Sequence, residues 1–70
     1  MNSYTISTDA VMVTIEAENV DMACRQFAAD QGWNHIDDIR DLAEKVEGMD
    51  GWLVVTCDDG IPLYSSKVVA

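Results

Sequence analysis

The sequence predicts an α+β fold: an antiparallel sheet of four or five short strands with one main helix, and a second helix as an option, on one face. Three observations carry this. Val20, Ala23, Cys24, Phe27 and Ala28 recur at i, i+3, i+4, i+7 and i+8, one face of a helix. Residues 11–17 (VMVTIEA) are β-branched and alternating, and residues 52–57 (WLVVTC) are nearly all apolar. Seventy residues in total allow one domain, 1–70, with 49% apolar residues, enough for a packed core. A domain this small buries only about 60–65% of the surface its unfolded chain exposes, so its stability is modest and self-association would be an easy way to add core.

In chain order, residues 4–7 are the first candidate strand. Thr8, Asp9 and Ala10 form a turn, and Val11, Val13 and Ile15 alternate with Met12, Thr14 and Glu16 to complete a hairpin. The main helix, about 19–31, opens on Asn19, whose side chain can accept from a free amide of the first turn. Asp21 places negative charge where the helix dipole favours it, and Gly32 supplies a left-handed stop. Trp33 and Asn34 then leave the helix.

Residues 35–49 support two readings. Ile36, Ile39, Leu42, Ala43 and Val46 have the spacing of a second helix, about 36–47, capped by Asn34. In the other reading a brief helical turn at 36–40 precedes a strand at 42–48. That strand would pair with 52–57 across Asp50-Gly51, a dipeptide favoured in tight hairpins. Residues 52–57 read as a central strand because they are apolar on both faces. Asp58, Asp59 and Gly60 make a turn. Residues 61–66 form a last strand, at an edge because Pro62 cannot donate to a ladder, and 67–70 either extend it or fray.

The loudest functional signal is charge. Thirteen acidic and four basic side chains give a net charge of -9. That balance argues against direct binding of nucleic acid or an anionic membrane, and for a basic partner, of which nucleic-acid-binding proteins are the largest class. Solubility is the competing explanation, although a surface serving only solubility normally mixes signs. Asp37, Asp38, Asp41, Glu44, Glu47 and Asp50 fall within fourteen residues, offset by Arg40 and Lys45. If helical, Asp37, Asp41 and Glu44 line one outer stripe, a row of acceptors that a phosphate-binding surface could take. Glu16, Glu18 and Asp21 form a second group, and Asp58 and Asp59 lie at a hairpin tip. Trp33 or Met49 can supply an apolar anchor beside the charges, while the bulk of Trp33 and Trp52 is first of all core material.

Catalytic and metal chemistry find little support. His35 is the one histidine and has no evident nucleophile or orienting acid. Cys24 and Cys57 lack zinc-ligand spacing and read as small buried hydrophobes in a reducing compartment, with a helix-to-sheet disulfide as the minor alternative. Asp37-Asp38 and Asp58-Asp59 do not match a calcium loop and fit caps and turns. The chain carries no phosphate-binding glycine loop, no apolar run of membrane length and no secretory start. The expectation is a cytoplasmic, non-enzymatic protein without cofactor or metal.

The layout of a hairpin ending in Ile15-Glu16-Ala17, a capped helix (ENVDMACRQFA), and a hairpin with a WLVV run and a DDG turn resembles the very small inhibitors encoded by phages and mobile elements, anti-CRISPR proteins among them. The resemblance spans most of the chain and contains no diagnostic motif. It implies an inhibitor that blocks a nucleic-acid-binding complex such as a CRISPR effector in the host cytoplasm, in several such families by mimicking DNA. The alternative is a homodimeric adaptor that uses a sheet edge. The candidate partner-binding residues, Asp37, Asp38, Asp41, Glu44, Glu47, Asp50 and Trp33, come from charge and bulk alone.

Overall fold

The computed structural model describes residues 1–66 and has the predicted α+β architecture. The elements are β1 (Asn2–Thr8), β2 (Met12–Ala17), α1 (Val20–Gln31), α2 (Ile39–Gly48), β3 (Leu53–Cys57) and β4 (Pro62–Ser65). One antiparallel sheet has the order β2-β1-β3-β4, so β1 and β3 are central and β4 is the edge strand that Pro62 requires. The expectation for residues 67–70 lies outside the described residues.

Register assigns the two faces. Tyr4 opposes Ile15 and Cys57, and Ile6 opposes Val13 and Val55, so these residues share the face toward the helices. Ser3, Thr5, Ser7, Met12, Thr14, Glu16, Val54, Thr56 and Ser65 share the other. Ile6, Leu42 and Leu53, with Phe27, Val46, Val55 and Cys24, are almost completely buried between the layers. Burial of each large side chain contributes about 1.5–3 kcal/mol relative to exposure. Val13 in β2 and Val11 just before it stay 36% and 37% exposed: this end of the edge strand is less covered than Ile15 and Ala17.

The first helix forms as its caps predict. Asn19 Oδ1 accepts from the Met22 amide at 2.9 Å. Gly32 takes φ 79°, and the amides of Gly32 and Trp33 close back on the carbonyls of Ala29 and Ala28.

The fork at 35–49 resolves to a helix, with a corrected start. It begins at Ile39, not Ile36, and its cap is Asp38, not Asn34: Asp38 is extended (φ -149°, ψ -179°) and its Oδ1 accepts from the Asp41 amide at 2.9 Å. Ile36 still packs against the core, but from extended chain, and that contact produced the false helical spacing. The Asp50-Gly51 dipeptide, the basis of the hairpin reading, instead ends this helix. Asp50 sits at φ 62°, its amide returns to the Glu47 carbonyl at 3.1 Å, and the Gly51 amide to the Val46 carbonyl at 3.1 Å. Gly51 is closely approached: a Cβ there would lie 2.7 Å from Asp9 Oδ1, which would have to move aside, and 3.2 Å from Val46 Cγ1.

The helices run side by side in the same direction. Their beginnings touch, since Asp21 Oδ1 of α1 accepts from the Ile39 amide at 3.3 Å. Their ends also meet, since Lys45 of α2 lies over the ring of Trp33, just past α1. The connection 33–38 therefore travels back along the helices without regular structure, held where Arg25 Nε donates to the Asp37 carbonyl at 2.9 Å.

Candidate functional site

The parallel helices give the molecule two chemically different ends. Where α1 and α2 begin, two sets of free amides and two positive dipole ends lie together. Three carboxylates answer them: Asp21 on the Ile39 amide, Asp38 on the Asp41 amide, and Asp41 Oδ2 on the Asp37 amide at 3.0 Å. The Cys24 thiol lies buried close by. Burial first, then the charges of Asp21 and Asp38, push its pKa up to about 12. A thiol so shielded is a poor nucleophile.

These contacts correct the predicted acidic stripe. Asp37 precedes the helix, and Asp41 is half-buried with its carboxylate turned back to the Asp37 amide. Of Asp37, Asp41 and Glu44, only Glu44 is an exposed helical carboxylate, so no i, i+4, i+7 row forms. Asp38 and Asp41 are capping groups.

Where the helices stop, the carboxylates face the opposite field. Asp30 lies in the last turn of α1 and Glu47 in the last turn of α2, with Asp50 two residues past it. Each helix end carries the equivalent of about half a negative charge, so carboxylates there are disfavoured. The Tyr64 hydroxyl donates to Glu47, a contact that fastens β4 to α2 and raises the pKa of Tyr64. Asp30 and Asp50 are exposed.

The same end holds a cleft of about 200 Å³, lined by Asp9 and Val11 from the β1–β2 turn, Phe27 and Trp33, and Val46 and Met49. Trp33 is half-buried, edge-on to Phe27 with ring centroids 6.0 Å apart. Lys45 Nζ lies 6.0 Å from the centroid of the Trp33 ring. Met49, on the rim, is 52% exposed. Of the predicted site residues, then, Trp33, Glu47 and Asp50 gather at this end, Asp37, Asp38 and Asp41 gather at the other, and Glu44 stands on the exposed face of α2. Composition pointed to Trp33 and Met49 as anchors. Asp9, Val11 and Gly51 were missed, because only the fold brings the β1–β2 turn against the end of α2.

The β3–β4 turn holds a third group. Ligating atoms of Cys57, Asp58 and Asp59 lie within 4.8 Å of one another. Cys57 is half-exposed, not buried as expected, and both cysteines are free thiols. Its thiol donates to Asp59, whose Oδ1 also accepts from the Ile61 amide at 3.1 Å. The thiol contact first, then the amide, holds the Asp59 carboxyl below its ordinary range. This is the bonding of a turn. His35 is exposed at φ 65°, on the connection between the helices.

Comparison with protein-family models, curated protein sequences and solved structures gives no match. Among the described residues no helix is long and apolar enough to cross a membrane.

Proposed function

We propose that this is a non-enzymatic acidic binding protein that docks on the basic surface of a nucleic-acid-binding protein or complex and blocks it, as an anti-CRISPR-like inhibitor would. One observation carries the reading. Carboxylates persist at the helix ends, at Asp30 and Asp50, where the dipoles disfavour them. Acidity that served solubility alone has no reason to collect there. Glu44 extends the acidic surface along α2, and Met49 and Trp33 supply apolar contact. The charge speeds encounter with a basic partner, and the apolar contact slows departure.

The test is affinity capture from lysate with a salt gradient. A basic nucleic-acid-binding complex that elutes at raised salt and is displaced by added nucleic acid supports the reading. Retention of partners that nucleic acid does not displace overturns it.

One observation favours a second reading, a self-associating adaptor. The sheet face away from the helices carries Glu16 as its one charge among nine residues, and Met12 on it is 73% exposed. Two copies at -9 each could approach there with least repulsion. Sedimentation equilibrium tests the second reading: an adaptor is a dimer that Thr5→Lys dissociates, and a monomer overturns it.

A further inference from the structure

We infer that the cleft at the helix ends is a socket for a single arginine side chain of the partner, with its stem against Val11 and Met49 and its guanidinium between Trp33 and the carboxylate of Asp9. This deepens the docking reading above and rests on it.

Size comes first. At about 200 Å³ the cleft is smaller than the ~300–1,000 Å³ typical of small-molecule sites, and it suits one long side chain. Its lining is mixed in the way an arginine is mixed. Val11 and Met49 offer exposed apolar surface to a methylene stem, which gains by leaving water while its head stays polar.

The second observation concerns the ring. Trp33 already attracts a cation, the chain's own Lys45 Nζ at 6.0 Å from its centroid, which an incoming guanidinium displaces from the ring. A planar guanidinium stacks on such a ring better than an ammonium, and its fork can meet a carboxylate through two parallel bonds.

Charge complementarity is the third. Asp9 lines the cleft, beside Met49 and Gly51 from the end of α2. Asp9 Oδ1 sits 2.7 Å from where a Cβ on Gly51 would be, so the β1–β2 turn and the end of α2 hold this carboxylate beside the cleft. The closing carbonyls of both helices add negative potential.

The experiment uses the isotope-labelled whole chain and the probe peptide acetyl-Gly-Arg-Gly-amide, followed by amide and indole NMR shifts. The control peptide replaces arginine by citrulline, which has the same shape without the charge. Saturable shifts at the Trp33 indole and the Gly51 and Val11 amides, with the arginine peptide only and at about millimolar affinity, are expected. Asp9→Asn should weaken binding about tenfold while the rest of the spectrum stays unchanged. Equal binding of the citrulline peptide, or shifts spread evenly over Glu18, Asp37 and Asp58 as well, would overturn the proposal. Because this test needs no partner, it can fail while a basic complex is still captured. That result would move docking to the Glu44 face of α2 and leave the acidic-docking reading standing.

Discussion

Asp21, Asp38 and Asp41, where the helices begin, each accept a backbone amide and lie in the field of two positive dipole ends. Asp30, Glu47 and Asp50, where the helices stop, lie in the reverse field. All six are carboxylates and the sequence neighbourhoods are similar, with Asp41 and Glu47 only six positions apart. Helix direction is what separates them. A run of acids in a sequence is therefore not one feature: part of it holds the fold together, Glu47 included through the Tyr64 hydroxyl, and Asp30 and Asp50 stay exposed.

The largest expected effect that tests this contrast is at Asp38. Asp38→Lys removes a cap and sets a cation against two positive helix ends, at a cost of about 2 kcal/mol in urea unfolding, whereas Asp38→Asn keeps the acceptor and costs a few tenths, by about the same scale. Equal losses from both variants would break the capping account. At the opposite end the sign should reverse. Asp50→Gly relieves a non-glycine residue at φ 62° and removes a charge from a helix end, and should raise stability by about 0.5–1 kcal/mol. Asp30→Lys should raise it by about 0.3–1 kcal/mol at low salt, with the gain shrinking as salt is added. A loss of stability from either substitution would show that the helix ends need these acids structurally.

The smallest effect near neutral pH concerns Cys24. Its pKa rises from 9.0 unfolded to about 12 folded, so the uncharged thiol favours the native state. This contribution is complete below pH 9 and is lost as pH climbs through about 12. Stability should decline across that window in the parent chain and decline less in Cys24→Ala. Thiol labelling of the native protein at pH 8 should reach the half-exposed Cys57 before the buried Cys24.

The first helix was legible because local signals agreed: Asn19, the apolar face from Val20 to Ala28, and Gly32 each speak for the same element. The apolar 52–57 run and Pro62 likewise placed β3 and β4 within the sheet. The start of α2 was not legible, because Asn34, Asp37 and Asp38 can all cap a helix. The choice falls to tertiary contacts, from Asp21 to the Ile39 amide and from Arg25 to the Asp37 carbonyl. Asp50-Gly51 misled for a related reason: a left-handed residue before a glycine serves a hairpin and a helix end equally well, and the helix won because Leu42, Ala43 and Val46 face the core. The acidic set was visible by composition. Its division between the beginnings and the ends of the helices depends on the two helices being parallel, which no local pattern encodes.

The backtracking connection 33–38 also divides the molecule in a way that bears on its assembly. Before it lie β1, β2 and α1, whose contacts with one another are local in sequence, and after it α2, β3 and β4, with the β3–β4 hairpin likewise local. The two halves join chiefly through the ladder from Tyr4–Cys57 to Thr8–Leu53, partners about fifty residues apart, and through the contact of α1 with α2. Closing that ladder carries the largest chain-entropy cost in the fold, so it should form last and set the folding rate. Two synthetic halves, cut at Asn34, should reassemble into the native sheet on mixing, with a rate that depends on their concentration.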